Sequence, residues 1–440
     1  GINLIFLEVD YSFEFRSHPE LRQEGGRITR DGARRFAGVC RQHGIRLVPQ
    51  FQSVGHQSWS RHTFPLLAVY PELDLTPGAF PDNEGIYCRE WDVTNPRVNQ
   101  IAFALIDEIV EAFAADAVHV GMDEIFLLGS DASPSTKGKD PAELFARTVN
   151  EFHDHFVRDQ GLEMFMWGDR LIDATVHGYG AWEASLTGTA PAVDRIPRDI
   201  VICDWHYEPM DAYPSVAMFA DKGFRVLPAS WRNPRAVQAL IKYSGALQQP
   251  GVIGHLFTTW SRLEPEGLPT YGPMLIGLET IRAGKFYDVA FDLLSASPAA
   301  GLEVSLSVPA EGLDIRYTTD GSEPTRQSPR YRAPLRLQRS ATVRAIACRE
   351  GTVVADVTAK DFVVHKATGR PVELTQPLSP KYPPKGGASA LVNGVRGSDS
   401  YRDGQWVGFE GTGMAATIDL GQATGVVRVS LATLNDHDNW

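Results

Sequence analysis

The stretch Ala117-Val118-His119-Val120-Gly121-Met122-Asp123-Glu124 decides how this chain is read. Its first residues are short, apolar and rich in valine, as in a strand buried on both faces, and they run directly into two adjacent carboxylates. In a parallel α/β barrel the reacting groups sit at the C-terminal ends of the strands, and Gly121 lets the backbone turn there without a Cβ clash. Asp123 and Glu124 are therefore the leading catalytic pair. Successive side chains on a strand point to opposite faces, so these two acids can share a pocket only where the strand has already turned.

Working outward, residues 1 to 290 alternate short apolar runs with amphipathic helical patterns, the signature of repeated βα units. The expected strands are Ile2 to Val9, Ile45 to Phe51, Ala117 to Gly121, Met164 to Trp167, Ile200 to Asp204, Phe224 to Pro228 and Val252 to Thr258. Those seven predict a TIM (β/α)8 barrel that lacks its first strand. Asn95 followed by Pro96 predicts a helix start, with Ile101, Leu105, Ile109 and Phe113 on one face. Asp140-Pro141-Ala142-Glu143 starts another, presenting Phe145, Val149, Phe152 and Phe156 before Gly161 stops it. At helical spacing these stripes read as core.

Near residue 290 the pattern changes to β alternation, as in Leu302 to Val308 and Ala341 to Ala347, with Asp320-Gly321 supplying a tight turn. Residues 291–366 are expected to form a small all-β module, and residues 367–388, rich in proline, a linker. Residues 389–440 begin a third unit with strands Ala415 to Leu420 and Val426 to Leu431, too few to close a sandwich. The chain opens at Gly1 inside an apolar strand and stops abruptly at Trp440, so both ends read as cut.

A net charge of −12 over 440 residues argues against a nucleic-acid or anionic-membrane partner, each of which would be met by a clustered basic surface. A neutral polar substrate fits better. Cys40, Cys88, Cys203 and Cys348 show no metal-ligand spacing and read as buried small hydrophobes. No apolar run approaches the roughly 20 residues of a membrane helix, and no signal peptide is visible.

His119-Val120-Gly121-Met122-Asp123-Glu124 resembles the His-x-Gly-x-Asp-Glu motif of family-20 glycoside hydrolases, the β-N-acetylhexosaminidases, whose catalysis is substrate-assisted. The resemblance implies that the substrate's own 2-acetamido oxygen attacks C1. Glu124 then matches the general acid/base, and Asp123 the residue that orients the acetamido group and stabilises an oxazolinium ion. Phe6-Leu7-Glu8-Val9-Asp10 resembles the family's second barrel strand, placing Asp10 in the polar network around the acid/base. Val54-Gly55-His56 resembles its Pro-Gly-His segment and brings His56 into that network; His119 of the motif is implied to belong to the site as well.

Trp167, Trp182, Trp205, Trp231 and Trp260 follow or end barrel segments, and flat apolar rings stack on the C–H faces of pyranoses. Trp167-Gly168-Asp169, Asp204-Trp205-His206-Tyr207 and Thr259-Trp260 resemble the family's tryptophan-bearing later strands, adding Asp169 and Tyr207 to the candidates. Three departures stand out. Trp260-Ser261-Arg262 replaces the usual Trp-x-Glu, Ser230-Trp231-Arg232 stands where many members place a tyrosine that binds the acetamido oxygen, and the family's sugar-binding arginine belongs to the strand this chain lacks. Tyr207 and the Trp231 indole are both open as acetamido partners.

Residues 295 to 365 resemble the immunoglobulin-like module at the C-terminus of chitobiases, and residues 391 to 440 the first part of a discoidin-type galactose-binding jelly roll. The leading expectation is a retaining exo-glycosidase that removes terminal β-linked N-acetylglucosamine or N-acetylgalactosamine from a glycan or glycoconjugate, secreted, periplasmic or at the cell surface, with no metal or organic cofactor. A second reading keeps the barrel but uses Glu183 or Glu264 as a conventional nucleophile opposite Glu124. A third makes the chain a non-catalytic carbohydrate-binding protein.

Overall fold

The computed structural model describes residues 2–260, 265–308, 312–379, 384–398 and 403–434. The chain divides into two compact units, Gly1–Arg282 and Ala283–Trp440.

The first unit is built on seven parallel strands hydrogen-bonded in sequence order: β1 (Leu4–Glu8), β2 (Arg46–Ser53), β3 (Ala117–Gly121), β4 (Glu163–Trp167), β5 (Val201–Trp205), β6 (Arg225–Ser230) and β7 (Leu256–Phe257). They form a curled, open barrel with β1 and β7 as its edges, a TIM barrel lacking one strand. Helices α1 (Arg30–Gln42), α2 (Pro96–Phe113), α3 (Pro141–His153), α4 (Pro214–Asp221) and α5 (Pro234–Leu247) return the chain between strands, and only short helical turns separate β4 from β5.

The helix starts follow their caps. Asn95 Oδ1 accepts from Arg97 N at 3.1 Å and Asp140 Oδ1 from Ala142 N at 2.9 Å, each worth about 1 kcal/mol. The stripe of α2 is buried at Val98, Ile101, Leu105, Ile109 and Phe113, and that of α3 at Phe145, Val149 and Phe152, at about 1.5–3 kcal/mol per large side chain. Past His153 a wider π-type turn carries Phe156 into the same core, and Gly161, at φ +72°, ends the run.

Strands β3 and β5 are buried throughout because both of their faces are covered. One face packs on the helices. The other fills the barrel interior with Val48, Phe165, Trp167, Cys203, Trp205 and Leu227. All four cysteines are free and buried, as their spacing suggested. No helix among the described residues is long and apolar enough to cross a membrane.

The second unit contains a three-stranded antiparallel sheet, Ala290–Ser297, Gly301–Ser307 and Leu335–Leu337, and a four-stranded one, Asp314–Thr318, Ala341–Arg349, Thr352–Val353 and Thr358–Phe362. Leu302, Val304, Leu306, Val343, Ala345, Ala347 and Phe362 are buried in it. Gly321 takes φ +78° in the tight turn after Asp320. Val372–Leu374 pairs antiparallel with Ala416–Ile418. The strand expected at Val426 to Leu431 forms no ladder, since its backbone finds no sheet edge among the described residues.

Candidate active site

The ends of β2 and β3 build the acidic centre. The backbone takes positive φ at Gly121 (+68°), Met122 (+69°) and Glu124 (+51°), so strand alternation breaks and the two neighbouring acids turn to the same side. Asp10, Val54 and His56 also have positive φ. Left-handed backbone at such residues costs about 1 kcal/mol or more each and is held here by surrounding contacts. Gly55 permits a close backbone approach: a Cβ there would lie 2.6 Å from the Asp123 carbonyl oxygen.

His56 Nε2 lies 2.8 Å from Glu124 Oε2 and 3.3 Å from Asp123 Oδ2, within ion-pair range of both although its N–H is aligned with neither. Burial pushes this imidazole down, but the charge of Asp123 and contact with both carboxylates more than reverse it, leaving its pKa well above the ordinary value. Burial likewise pushes the Asp123 carboxyl up, and the His56 charge and the Gln52 amide overcome that to hold it below the usual aspartate range. Gln52 Nε2 donates to Asp123 Oδ1 at 2.8 Å, and Gln52 N donates to Asp10 Oδ1 at 2.7 Å. Asp10, its carboxyl pushed up to about 6 chiefly by burial, thus reaches Asp123 through Gln52. The ligand atoms of His56, Asp123 and Glu124 lie within 4.8 Å of one another, close enough for a cation, but a protonated His56 would compete with one.

Glu124 has a second support. Its backbone N–H donates to Asp169 Oδ2, which is buried and also accepts from Arg170 Nε. Asp169, expected to touch substrate, therefore lies behind Glu124, its carboxyl raised to about 6 by burial above all. His119 is likewise set into the floor. It is fully buried, its Nδ1 accepts from Gly121 N at 3.1 Å, and its ring packs against Phe6 and Trp167. Burial pushes its pKa down to about 3, which favours the neutral ring, and its Nε2 has no partner among the described residues.

The aromatic residues divide into two groups. Trp167 and Trp260 rings lie 5.7 Å apart, Trp205 and Tyr207 4.9 Å, and Tyr207 and Trp231 5.4 Å. The Trp260 indole donates to the Tyr207 hydroxyl at 2.6 Å. Trp182 belongs elsewhere: it packs on Tyr87 and Phe126 and is 51% exposed. Glu183 is not free to face Glu124, because its Oε2 lies 2.7 Å from Nδ1 of the buried His206. Glu264 and the Ser261-Arg262 pair fall outside the described residues.

Sequence reasoning missed Gln52, Tyr87 and Arg170. Gln52 had a signal, a polar residue alternating with Gln50 at the end of a strand expected to be buried, whereas Tyr87 lies in a loop and Arg170 in a single helical turn, with no periodicity to mark them.

The family model for the glycosyl hydrolase family 20 catalytic domain matches residues 11–260, more than half of the chain. The chain belongs to glycosyl hydrolase family 20. In this family-20 chain, residues 296–359 also match the model of the chitobiase/beta-hexosaminidase C-terminal domain. It is 27% identical over 158 residues to a lacto-N-biosidase of Bifidobacterium bifidum, covering 33% of the chain and 13% of that protein. It is 24% identical over 224 residues to a beta-hexosaminidase of Emericella nidulans, covering 46% of the chain and 32% of that protein. The family-20 chain therefore spans about an eighth and about a third of these curated relatives (13% and 32%). A solved chitobiase from Flavobacterium johnsoniae is similar at 19% identity and a TM-score of 0.47, over 63% of this chain and 43% of that one.

Proposed function

We propose that this chain is the catalytic part of a retaining exo-β-N-acetylhexosaminidase that releases terminal β-linked N-acetylglucosamine or N-acetylgalactosamine by substrate-assisted catalysis. The observation that carries it is the convergence of Asp123 and Glu124 on His56 from one wall of the barrel mouth. A conventional retaining pair flanks the scissile bond from opposite sides, about 5 to 5.5 Å apart. Adjacent residues on one turn suit a different division of labour.

In this mechanism the acetamido oxygen attacks C1 while Glu124 gives its proton to the departing glycosidic oxygen. The C1–O bond breaks and an oxazolinium ion forms. Asp123, held anionic by its neighbours, accepts the acetamido N–H and stabilises the positive charge that develops there. Glu124 then takes a proton from water, whose oxygen attacks C1 and reopens the ring with overall retention.

The floor suits a sugar. Trp167, Trp205 and Trp231 have indole N–H groups with no partner among the described residues, available to sugar oxygens. The Tyr207 hydroxyl, which accepts from the Trp260 indole, and the unpartnered Trp231 indole N–H are both donors open to the acetamido oxygen. Asp10 and His56 act through the carboxylates, and Asp169 through the Glu124 backbone. The conventional nucleophile reading loses Glu183 to its ion pair with His206. The appended β-modules support work on polymeric or conjugated glycans outside the cytoplasm; residues 291–366 read as an immunoglobulin-like module and residues 389–440 as part of a jelly roll.

A thiazoline analogue of the oxazolinium ion tests the mechanism. Tight competitive inhibition is expected. A trapped covalent glycosyl-enzyme would overturn it.

A further inference from the structure

Beside the acidic centre, a second aromatic group stands at the barrel rim. Tyr87 is its hub, with ring centroids 4.7 Å from Trp182, 5.9 Å from Trp59 and 6.0 Å from Phe126, all edge to face. Phe126 and Trp182 also meet at 5.4 Å. Despite this packing Trp59 is 58% exposed and Trp182 51%. Exposed tryptophans clustered at one place mark a surface kept for a ligand, because burying them would have been favourable. No ring contact among the described residues joins this group to the tryptophans of the floor.

The platform is built rather than incidental. Its Trp59 side is a short hairpin, Ser58–Trp59 with His62–Thr63. Buried Arg89 braces that hairpin and the Tyr87 loop, donating to Asn83 Oδ1 at 2.6 Å and to the Phe80 carbonyl at 2.7 Å, while Asn83 Nδ2 donates to the Ser60 carbonyl at 3.0 Å. Its Trp182 side hangs on fully buried Arg170, which donates to the Trp182 carbonyl at 2.8 Å and lies 4.7 Å over the Phe126 ring. Rings fixed in advance lose little entropy when a ligand stacks on them.

Its position says what the ligand is. Tyr87 lies 5.7 Å from the His56 ring, whose Nε2 is 2.8 Å from Glu124, and Phe126 follows Glu124 by two residues. Under the function proposed above, on which this step rests, Glu124 must touch the glycosidic oxygen, so the residue beyond that oxygen lies on Glu124's side of the site. The terminal sugar occupies the floor, and the group it is linked to meets the rim. We propose that Trp59, Tyr87, Phe126 and Trp182 form an aglycone subsite that stacks a second, neutral pyranose ring. The surface is apolar, and the nearby charges Arg61 and Glu84 pair with each other at 3.1 Å, which suits a sugar better than an ionic partner.

Two ligands with the same terminal sugar test this: methyl β-N-acetylglucosaminide and the β-linked disaccharide of N-acetylglucosamine. Binding is measured by calorimetry on a Glu124→Gln protein, with and without Trp59→Ala, and turnover on the Glu124-containing proteins. Trp59→Ala is expected to weaken the disaccharide by about three- to tenfold relative to the methyl glycoside, in Kd and in KM more than in kcat, with Trp59→Phe restoring most of it. Parallel loss on both ligands, or no change in their ratio, overturns the subsite. Wild-type protein that turns over neither ligand sinks the proposed function, while the calorimetric ratio still decides the subsite.

Discussion

The backbone N–H of Glu124 donates to Asp169 Oδ2 at 2.9 Å, and the same oxygen accepts from Arg170 Nε at 2.6 Å. One buried carboxylate oxygen therefore ties the proposed acid/base to the guanidinium that also carries Trp182 and Phe126. Asp169→Ala removes the carboxylate that pairs with the buried Arg170 guanidinium, leaves Arg170 to its carbonyl acceptors, and should cost about 3 kcal/mol of stability together with a fall in kcat. Asp169→Asn retains an acceptor oxygen and should lose less of both. Urea denaturation and steady-state kinetics on the two variants measure this, and an Asp169→Ala protein of unchanged stability would contradict the arrangement.

Glu124→Gln should reduce kcat by about 10²–10⁴-fold on substrates with poor leaving groups, the range ascribed to general acid catalysis. Asp123→Asn should also slow the reaction, and it removes the largest charge that raises the His56 pKa. With burial then less opposed, that imidazole should titrate at lower pH, which can be followed by NMR. An unmoved His56 would show that Asp123 does not hold its proton.

Gly55→Ala tests the close approach of the β2 and β3 loops. The added carbon meets the Asp123 carbonyl oxygen at 2.6 Å, so the loops must separate, at about 1–3 kcal/mol with a drop in kcat. Gly38→Ala is the control: it lies in α1 with nothing within 4 Å, and should be neutral or slightly stabilising in thermal melts.

His206 predicts a pH effect on stability. Burial pushes the imidazole down, but Asp204 and Glu183 reverse this and raise its pKa to about 9 from the ordinary 6.5. The folded protein therefore keeps a proton that the unfolded chain gives up. The stabilisation is fully present below pH about 6.5 and is lost as pH rises through about 9, on the order of 3 kcal/mol in total. Denaturation midpoints across that window should fall with pH, and His206→Gln should flatten the slope.

The strands were legible because each is a short apolar run, and β3 occurs at Ala117–Gly121 as its valines implied. The helix starts were legible because Asn95-Pro96 and Asp140-Pro141 cap locally. The acid pair was legible too, as carboxylates at the end of a buried strand. Trp182 was not, since a tryptophan after a strand looks the same whether it lines the floor or stands at the rim. Asp169 and Glu183 offered no sign that their charges were already taken by Arg170 and His206.

The sequence by itself determined the βα alternation, the helix caps and the Asp123-Glu124 terminus of β3, because periodicity and capping act within a few residues of chain. Only the tertiary structure decided that both acids face His56, that Asp169 lies behind Glu124, and that the aromatic residues separate into floor and rim. Those outcomes depend on a backbone forced to positive φ at Met122 and Glu124 and on segments distant in sequence brought within 3 Å by strand pairing, as the β2 residue Gln52 and Asp123 are at 2.8 Å.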